Sequence, residues 1–258
     1  MLYYYPQLRT GNYFELLDAS GLSLPIGPPG ITFVLWSKFV EGNSRRGFYR
    51  YQDDGPPKTQ YIARVETSGE IWTQGYDDRG LLRNTVTANG SVIPVDEWFP
   101  LVVSYRLDDN YGARVVHPYL VAPVTPSGNL CYVHGAVAPT IRIGAESGNS
   151  LRGKMAHFTI YGRGLTDDEI DSILAGRHPL TIDGAVHYWP MTEGTGDIVD
   201  LINGVTVPMV GTVGEDVEDN PPVDTIVLPA ANLSVTITGL PSDTLLYGWL
   251  AQWVYTDG

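Results

Sequence analysis

The sequence is poor in cysteine, in basic residues and in long apolar runs. Its one cysteine, Cys131, excludes an internal disulfide and a cysteine-based zinc cluster. No run of about 18 apolar residues is present, so the sequence predicts no transmembrane helix. The N-terminal residues lack a basic segment followed by an apolar one, and no signal peptide is therefore expected.

Basic residues are outnumbered by acidic ones almost two to one. Sixteen Lys and Arg oppose 29 Asp and Glu, which gives a formal net charge of −13. Because a negative field repels phosphate, nucleic acid and anionic membranes are not expected as partners unless basic residues cluster locally. The only adjacent basic pair is Arg45-Arg46, so the sequence itself shows no such cluster.

Apolar and turn-forming residues are plentiful. Hydrophobic residues make up 43% of the chain, which is enough for a core, and 29 Gly and 19 Pro favour many short strands over helices. The segment 31–38 is β-branched and aromatic on both faces, as expected for an inner strand covered on both sides. From Phe99 to Leu107 apolar residues alternate between faces. The other predicted strands are 12–17, 47–51, 61–66, 70–73, 114–121, 140–143 and 155–161.

One short helix is predicted between the later strands. Thr166 is placed to cap it, and Glu169 three residues later completes a capping box. Gly176 supplies the C-terminal stop. An apolar stripe at helical spacing lies between these ends and consists of Ile170, Ile173 and Leu174.

Four segments carry the pattern of a known family. Residues 141–170 contain two strands followed by the capped helix, and residues 12–38 end in a hydrophobic strand with Trp-Ser-Lys. Residues 97–105 form a strand that begins with tryptophan, and residues 188–204 contain Tyr-Trp-Pro-Met-Thr-Glu-Gly-Thr-Gly. Together they resemble the laminin-G-like or concanavalin-A-like jelly roll in the form common in bacterial and phage proteins.

The resemblance implies an all-β fold, a concanavalin-A-like (laminin-G-like) jelly-roll β-sandwich with one short helix. The residues beyond it add a C-terminal β-hairpin arm to this prediction. We expect the jelly-roll domain to occupy residues 1–213. The family's usual opening motif here falls after the helix, within residues 185–213. We favour the hypothesis that this segment folds back to complete the same sandwich in permuted order, the alternative being an extension with a second copy of the motif.

The remaining residues, 214–258, are predicted to form a Pro- and acid-rich arm followed by a β-hairpin. The second half of the hairpin is apolar, and such a surface at a chain end needs a partner. We predict an assembly contact formed by Leu245, Trp249 and Trp253.

Candidate binding residues lie at strand ends and in acidic loops. A sugar site needs an aromatic ring for stacking and polar groups for the hydroxyls, and the sequence offers a ligand-binding set consisting of Trp72, Tyr76, Asp77, Asp108 and Asp109. Calcium is the one cofactor considered, because acidic pairs occur at 53–54, 77–78 and 108–109, but none matches a calcium-loop spacing. No metal site is therefore predicted.

Catalytic patterns are weak. Hydrolases on this fold carry paired carboxylates along a strand, and the nearest match, Glu169 and Asp171, falls on the predicted helix, where a structural role is favoured. The five histidines show no metal-binding spacing, and no Gly-x-Ser-x-Gly elbow is present. We therefore predict that the protein is not an enzyme.

Our leading hypothesis is a non-catalytic structural protein of a virion, a capsid-decoration or tail component of a bacteriophage, made in the host cytoplasm. Its expected partners are other virion proteins or copies of itself in a homo-oligomer. The alternative is a lectin-like carbohydrate-binding module that attaches to surface glycans. A hydrolase with unrecognised acids is the third hypothesis.

Overall fold

The computed structural model describes fourteen stretches of the chain. They are residues 7–9, 11–17, 22, 30–40, 45–53, 59–76, 82–86, 93, 95–106, 113–118, 139–146, 148–192, 196–211 and 221–224. The predicted C-terminal hairpin therefore lies outside the described residues, and the domain boundary at residue 213 stays a prediction.

Seventeen strands and one α-helix are present in the described residues. The strands are β1 (Gln7–Leu8), β2 (Tyr13–Leu16), β3 (Ile31–Phe39), β4 (Arg46–Asp53), β5 (Thr59–Val65), β6 (Ile71–Tyr76), β7 (Leu82–Val86), β8 (Trp98–Tyr105), β9 (Ala113–Val116), β10 (Thr140–Ile143), β11 (Ala145–Glu146), β12 (Asn149–Ser150), β13 (Gly153–Tyr161), β14 (Ala185–Trp189), β15 (Ile198–Val199), β16 (Thr206–Val207) and β17 (Met209–Val210). The helix is α1 (Asp167–Leu174), and a 3-10 turn spans Pro179–Thr181.

Most strands belong to two antiparallel sheets. A six-stranded sheet runs β1-β13-β3-β8-β9, with β14 also paired to β13. A seven-stranded sheet runs β17-β2-β10-β4-β5-β6-β7. The predicted all-β sandwich with one short helix is confirmed.

Strand β3 lies in the middle of the six-stranded sheet and is covered on both faces, as its two apolar faces predict. Its residues Ile31, Phe33 and Leu35 enter the large core between the sheets, whereas Val34 and Trp36 face away from that core. Phe33 stacks on Tyr49 of β4 with ring centroids 4.6 Å apart, which joins the two sheets directly. Such aromatic pairs add to the free energy of apolar burial.

The helix covers the far side of the six-stranded sheet. Ile170 and Ile173 pack on Val34, Val102 and Tyr161 in a second apolar cluster. The capping box is present, since the Glu169 N–H donates to Thr166 Oγ1 at 3.3 Å and the Thr166 N–H donates to Glu169 Oε2 at 2.8 Å. In the described part of the chain no helix is long and apolar enough to span a membrane.

A buried hydroxyl pair fastens the start of the helix to the sheet. Thr32 of β3 and Ser104 of β8 share a hydrogen bond of 2.8 Å, and the Leu165 N–H donates to both hydroxyls at 3.1 and 3.3 Å. Thr32 also donates to the carbonyl of Arg163 at 2.9 Å. Because these groups are buried, each bond prevents the desolvation cost of an unpaired polar atom.

The segment after the helix returns to both sheets. Strand β14 pairs antiparallel with β13, and β17 pairs with β2 at the edge of the seven-stranded sheet. Between them Asp200 is fully buried and accepts hydrogen bonds from His187 Nδ1 at 2.7 Å and from the backbone N–H groups of Tyr188 and Ile202 at 2.9 and 3.0 Å. The carboxylate therefore ties the turn after β15 to β14.

We expect Asp200→Ala to lower the free energy of unfolding by about 2–4 kcal/mol, because it leaves buried donors unpaired. Burial alone would raise the pKa of Asp200, but the hydrogen bonds from His187 and the two backbone groups outweigh it, and the pKa lies below its ordinary value. This contribution is present above the pKa of the unfolded state and is lost as the pH falls through the folded pKa.

Urea unfolding at pH 7, followed by circular dichroism, measures the effect of Asp200→Ala. The exposed helical position Asp171 supplies the matched control, and Asp171→Ala should change stability by less than about 0.5 kcal/mol. Equal stability of the two variants would show that the Asp200 contacts do not support the returning segment.

Candidate functional site

The seven-stranded sheet turns one set of alternate side chains into the core and the other set away from it. On β4 and β5 the core receives Tyr49, Tyr51, Tyr61 and Ala63. Since side chains alternate along a strand, their neighbours lie on the opposite face. We call this surface the outer sheet face, and its described members include Tyr13, Glu15, Arg50, Gln52, Ile62, Arg64, Trp72, Gln74 and Arg142.

Five of these residues form one row across the sheet. Strand pairing places Glu15 opposite Arg142, Arg142 opposite Arg50, Arg50 opposite Ile62, and Ile62 opposite Gln74. We call this set the central row. Four of its members are half-buried, and Ile62 is 2% exposed. The backbone therefore fixes three charged groups and one amide in a line on a rigid surface.

An aromatic residue accompanies the charged end of the central row. Arg142 Nε forms a salt bridge with Glu15 and its guanidinium lies over the Tyr13 ring, 5.6 Å from the centroid. The next arginine, Arg50, donates to Gln52 Oε1 two residues along β4. Both guanidinium groups are thus held by neighbours on the same face.

Trp72 lies beside the other end of the row, on β6. Arg64 is opposite it on β5, and the Arg64 guanidinium lies 5.1 Å from the ring centroid. Arg64 also donates to Glu66 Oε1 at 2.6 Å and to Gln74 Oε1 at 3.4 Å. The indole Nε1 of Trp72 is buried and has no hydrogen-bond partner among the described residues.

A close backbone approach brings Glu146 to this corner. A Cβ on Gly47 would lie 2.0 Å from the Glu146 backbone nitrogen, so only glycine fits there. Glu146 is 5% exposed. Its Oε2 lies 3.3 Å from Arg45 Nη2, and its Oε1 lies 3.8 Å from Arg64 Nη1. Its carboxylate is therefore held between two arginines.

The outer sheet face and its rim carry charges of both signs. They gather four arginines, Arg45, Arg50, Arg64 and Arg142, and the glutamates that pair with arginines there are Glu15, Glu66 and Glu146. The arginines come from different parts of the chain, so adjacency in the sequence could not reveal them. The mixture is too balanced to serve as a phosphate-tracking stripe, in which cations cluster without anions.

The predicted ligand-binding residues are only partly covered by the structure. Trp72 lies on the outer sheet face, and Tyr76 is the last residue of β6, paired with Leu82. Asp77, Asp108 and Asp109 lie outside the described residues, and so do Leu245, Trp249 and Trp253 of the predicted assembly contact. The calcium hypothesis therefore stays untested at 77–78 and 108–109.

Sequence reasoning missed Arg50, Arg64, Arg142 and Gln74. Each of them alternates with buried residues along its own strand; Arg50, for example, lies between the core residues Tyr49 and Tyr51. This period of two is the sequence signal that could have placed them on the outer face. The strand order that brings β10 beside β4 was not available from the sequence. The described residues contain no cluster of three or more His, Cys, Asp or Glu that could hold a metal ion.

A second polar cluster lies beneath the helix on the six-stranded sheet. A β-bulge in β13 turns His157 to the helix side, with a left-handed φ of 51°. The Leu180 N–H donates to His178 Nδ1 at 3.2 Å, so neutral His178 donates from Nε2 to Tyr188 Oη at 3.2 Å. Tyr188 Oη then donates to His157 Nδ1 at 2.7 Å.

Burial makes both imidazoles of this cluster resistant to protonation. Burial lowers the pKa of His178 to about 4. Burial lowers the pKa of His157 to about 3, and the positive charge that His178 carries once it is protonated acts in the same direction. Both rings are therefore neutral near pH 7, which suits a hydrogen-bonded core group.

A cavity of about 510 Å³ adjoins His178 at the end of α1. It is lined by Ser172, Ala175, Arg177, His178, Thr181 and Asp224. The Ser172 hydroxyl donates to the Asp168 carbonyl at 2.7 Å and the Thr181 hydroxyl donates to the His178 carbonyl at 2.7 Å. Neither hydroxyl is bonded to an imidazole, so neither is an activated nucleophile.

Glu169, one of the two acids considered from the sequence, has a structural role. Hydrogen bonds from Arg163, at 2.6 and 2.8 Å, together with those from Thr166, lower the pKa of Glu169 to about 2. A general acid needs a raised pKa near the working pH. Glu169 therefore stabilises the helix start and is unsuited to acid catalysis.

Comparisons with known proteins identify the fold. No family model matches the chain, and no curated protein matches its sequence. A candidate carbohydrate-binding protein from Bacteroides ovatus superposes with a TM-score of 0.56 at 12% identity, covering 85% of this chain and 61% of that one. The chain therefore spans about three fifths of that structure. At this identity the likeness shows the fold alone, a lectin-like β-sandwich.

Two further structures are more distant. The CBM40 module of a Ruminococcus gnavus IT-sialidase has a TM-score of 0.48 at 12% identity, over 67% of this chain and 98% of that one. Tailspike protein 2 of an Escherichia coli O157:H7 bacteriophage has a TM-score of 0.41 at 13% identity, over 67% and 26%. Neither likeness is close enough to carry an argument, and the narrower laminin-G assignment stays a prediction.

The buried histidines predict a loss of stability in mild acid. Burial lowers the pKa of His117 to about 4, as it lowers those of His157 and His178. In the unfolded chain a histidine titrates near 6.5, so the unfolded state takes up protons first and stability falls as the pH drops from 7 to 5. His157→Asn, which suits the left-handed backbone, should reduce this loss by about 2 kcal/mol.

The measurement is a urea midpoint series between pH 7 and pH 5 on both proteins, where most carboxylates stay ionised. Parallel pH profiles for the wild type and His157→Asn would contradict the assignment of a buried, neutral imidazole at this position.

Proposed function

We propose that the protein is a non-catalytic, lectin-like module that binds glycans on the outer sheet face. The observation that carries the proposal is the alignment of Arg142, Arg50 and Gln74 in the central row, with Trp72 beside it. These residue types provide the chemistry that a sugar requires, and β-strands hold them in place.

A sugar ring presents apolar C–H groups on its faces and hydroxyl groups around its rim. The half-buried Trp72 ring suits the apolar face. The side-chain amides of Gln52 and Gln74 can both donate and accept, as hydroxyl recognition demands. Sites of this kind depend on a few well-placed polar groups beside an aromatic surface.

The arrangement is also largely pre-organised. Arg64 is fixed against Trp72 by Glu66 and Gln74, and Arg50 is fixed by Gln52. Side chains already held in one geometry lose little conformational entropy when a ligand binds. The lectin-like fold, and the name of the Bacteroides ovatus structure that shares it, support the same proposal.

Trp72→Ala should weaken glycan binding by about 30-fold, because truncating a central aromatic residue costs about 2 kcal/mol of binding free energy. A glycan array identifies the ligands, and titration calorimetry then gives the dissociation constants of both proteins. Circular dichroism confirms that the variant is folded.

The matched control is Trp98→Ala. Trp98 is also half-buried, but it begins β8 in the six-stranded sheet and packs near Trp36. This variant should keep the wild-type dissociation constant. Binding that survives in Trp72→Ala and is lost in Trp98→Ala would place the site on the wrong sheet, and an array without any bound glycan would refute the function.

As a second candidate we propose that the module serves as a structural component of a bacteriophage particle, with the C-terminal arm and hairpin, residues 214–258, in contact with another virion protein or another copy. One observation supports a tethered arm. The Asp224 N–H donates to the Gly176 carbonyl at 2.8 Å, and Val223 packs against the Trp36 cluster. Residues 223 and 224 thus contact the sandwich, and they precede the apolar hairpin predicted from the sequence.

The virion hypothesis predicts an oligomer in solution that depends on the hairpin. Light scattering after size-exclusion chromatography should give a multimeric mass for the full chain. The double variant Trp249→Ser/Trp253→Ser should give the mass of one chain, because it removes two apolar anchors of the contact. A full-length protein that is already monomeric at micromolar concentration would contradict the contact.

A further inference from the structure

Two arginines face each other at the centre of the outer sheet face. Arg50 and Arg142 are directly opposite in the β4–β10 ladder, and both side chains are half-buried. Like charges at such positions repel, since directly opposite Cβ atoms are only about 5 Å apart. A sheet that keeps this pair needs a negative charge nearby.

Only one of the two arginines has such a charge within the described part of the protein. Glu15 lies opposite Arg142 on the side away from Arg50 and forms a salt bridge with it. Arg50 donates to the neutral amide of Gln52, and no described carboxylate lies within salt-bridge distance of it. On its other side Arg50 faces Ile62, which is apolar and buried. The central row therefore carries one uncompensated positive charge.

This positive charge lies in a chain whose net charge is −13. Half-burial lowers the local dielectric response, so an anion placed beside Arg50 is bound more strongly there than it would be in open solvent. The amide of Gln52 already holds the guanidinium, so its remaining N–H donors can bind a planar anion through two parallel hydrogen bonds. The overall negative charge disfavours a polyanion and favours a ligand with a single charged group.

We infer that the outer sheet face binds a sugar that carries a carboxylate, with Arg50 as the main carboxylate-binding residue and Arg142 as its neighbour. This inference rests on the proposed glycan-binding function and specifies the class of ligand. Neighbouring strands are about 4.8 Å apart, so Gln74 lies about 10 Å from Arg50 across the sheet, a span of one or two sugar rings. Gln74 and Trp72 then contact the uncharged part of the same ligand.

The test compares one oligosaccharide in two forms. An array carries each oligosaccharide that ends in a single uronic acid beside its methyl ester and beside a sulfated analogue, and calorimetry measures the best pair. The wild type should bind the carboxylate form at least about 10-fold more tightly than the ester, because charge-assisted hydrogen bonds are lost on esterification.

Variants of Arg50 test whether this residue binds the carboxylate. Arg50→Gln should bind the carboxylate and the ester with equal affinity, near that of the wild type for the ester. Arg50→Lys should keep part of the preference, because it retains the charge and loses the fork geometry. Arg177→Gln makes the same change in net charge at an exposed position after α1 and should keep the full preference.

Other outcomes would contradict the carboxylate preference, the role of Arg50 or the glycan-binding function itself. Equal binding of carboxylate and ester by the wild type refutes the inference and leaves the glycan-binding function intact. Tighter binding of the sulfated analogue than of the carboxylate form refutes the carboxylate as the preferred anionic group. A preference that survives in Arg50→Gln, or disappears in Arg177→Gln, refutes the assignment to Arg50. The absence of binding to every glycan refutes the proposed function and this inference with it.

Discussion

Each strand of the seven-stranded sheet gives every second side chain to the core, and the molecule depends on this alternation. Tyr49, Tyr51 and Tyr61 occupy core positions. Tyr49 and Tyr61 pack on Phe33 of the opposite sheet, and Tyr51 packs on Tyr61. The residues between them cannot enter the core without taking the tyrosines out of it, because a shift of one residue exchanges the two faces of a strand. The packing that stabilises the sandwich therefore also fixes the register of Arg50 against Arg142.

The two sheets use their outer faces differently. On the six-stranded sheet, α1 covers Val34, Val102 and Tyr161, and the Thr32–Ser104 pair fastens the helix start to the strands. The corresponding face of the seven-stranded sheet carries guanidinium, amide and indole groups at its described positions. A polar face with one unbalanced charge adds little to the stability of the fold, and this composition supports the proposed ligand-binding role.

Features that depend on residues close together in the sequence could be predicted from it. The capping box of Thr166 and Glu169, and the central position of β3, follow from local pattern and are confirmed. The bulge at His157 and the row of arginines were not predicted, because both depend on which strands lie side by side. Trp72 was predicted as a ligand-binding residue, but from its nearness to acidic loop residues and not from the face it shares with Arg64.

Mapping of backbone amide chemical shifts during titration with a bound oligosaccharide locates the proposed glycan site. The largest changes should fall on the adjoining strands β10, β4, β5 and β6, at Arg142, Arg50, Arg64 and Trp72. Changes confined to α1, β13 and β14, or to the cavity beside His178, would contradict this location.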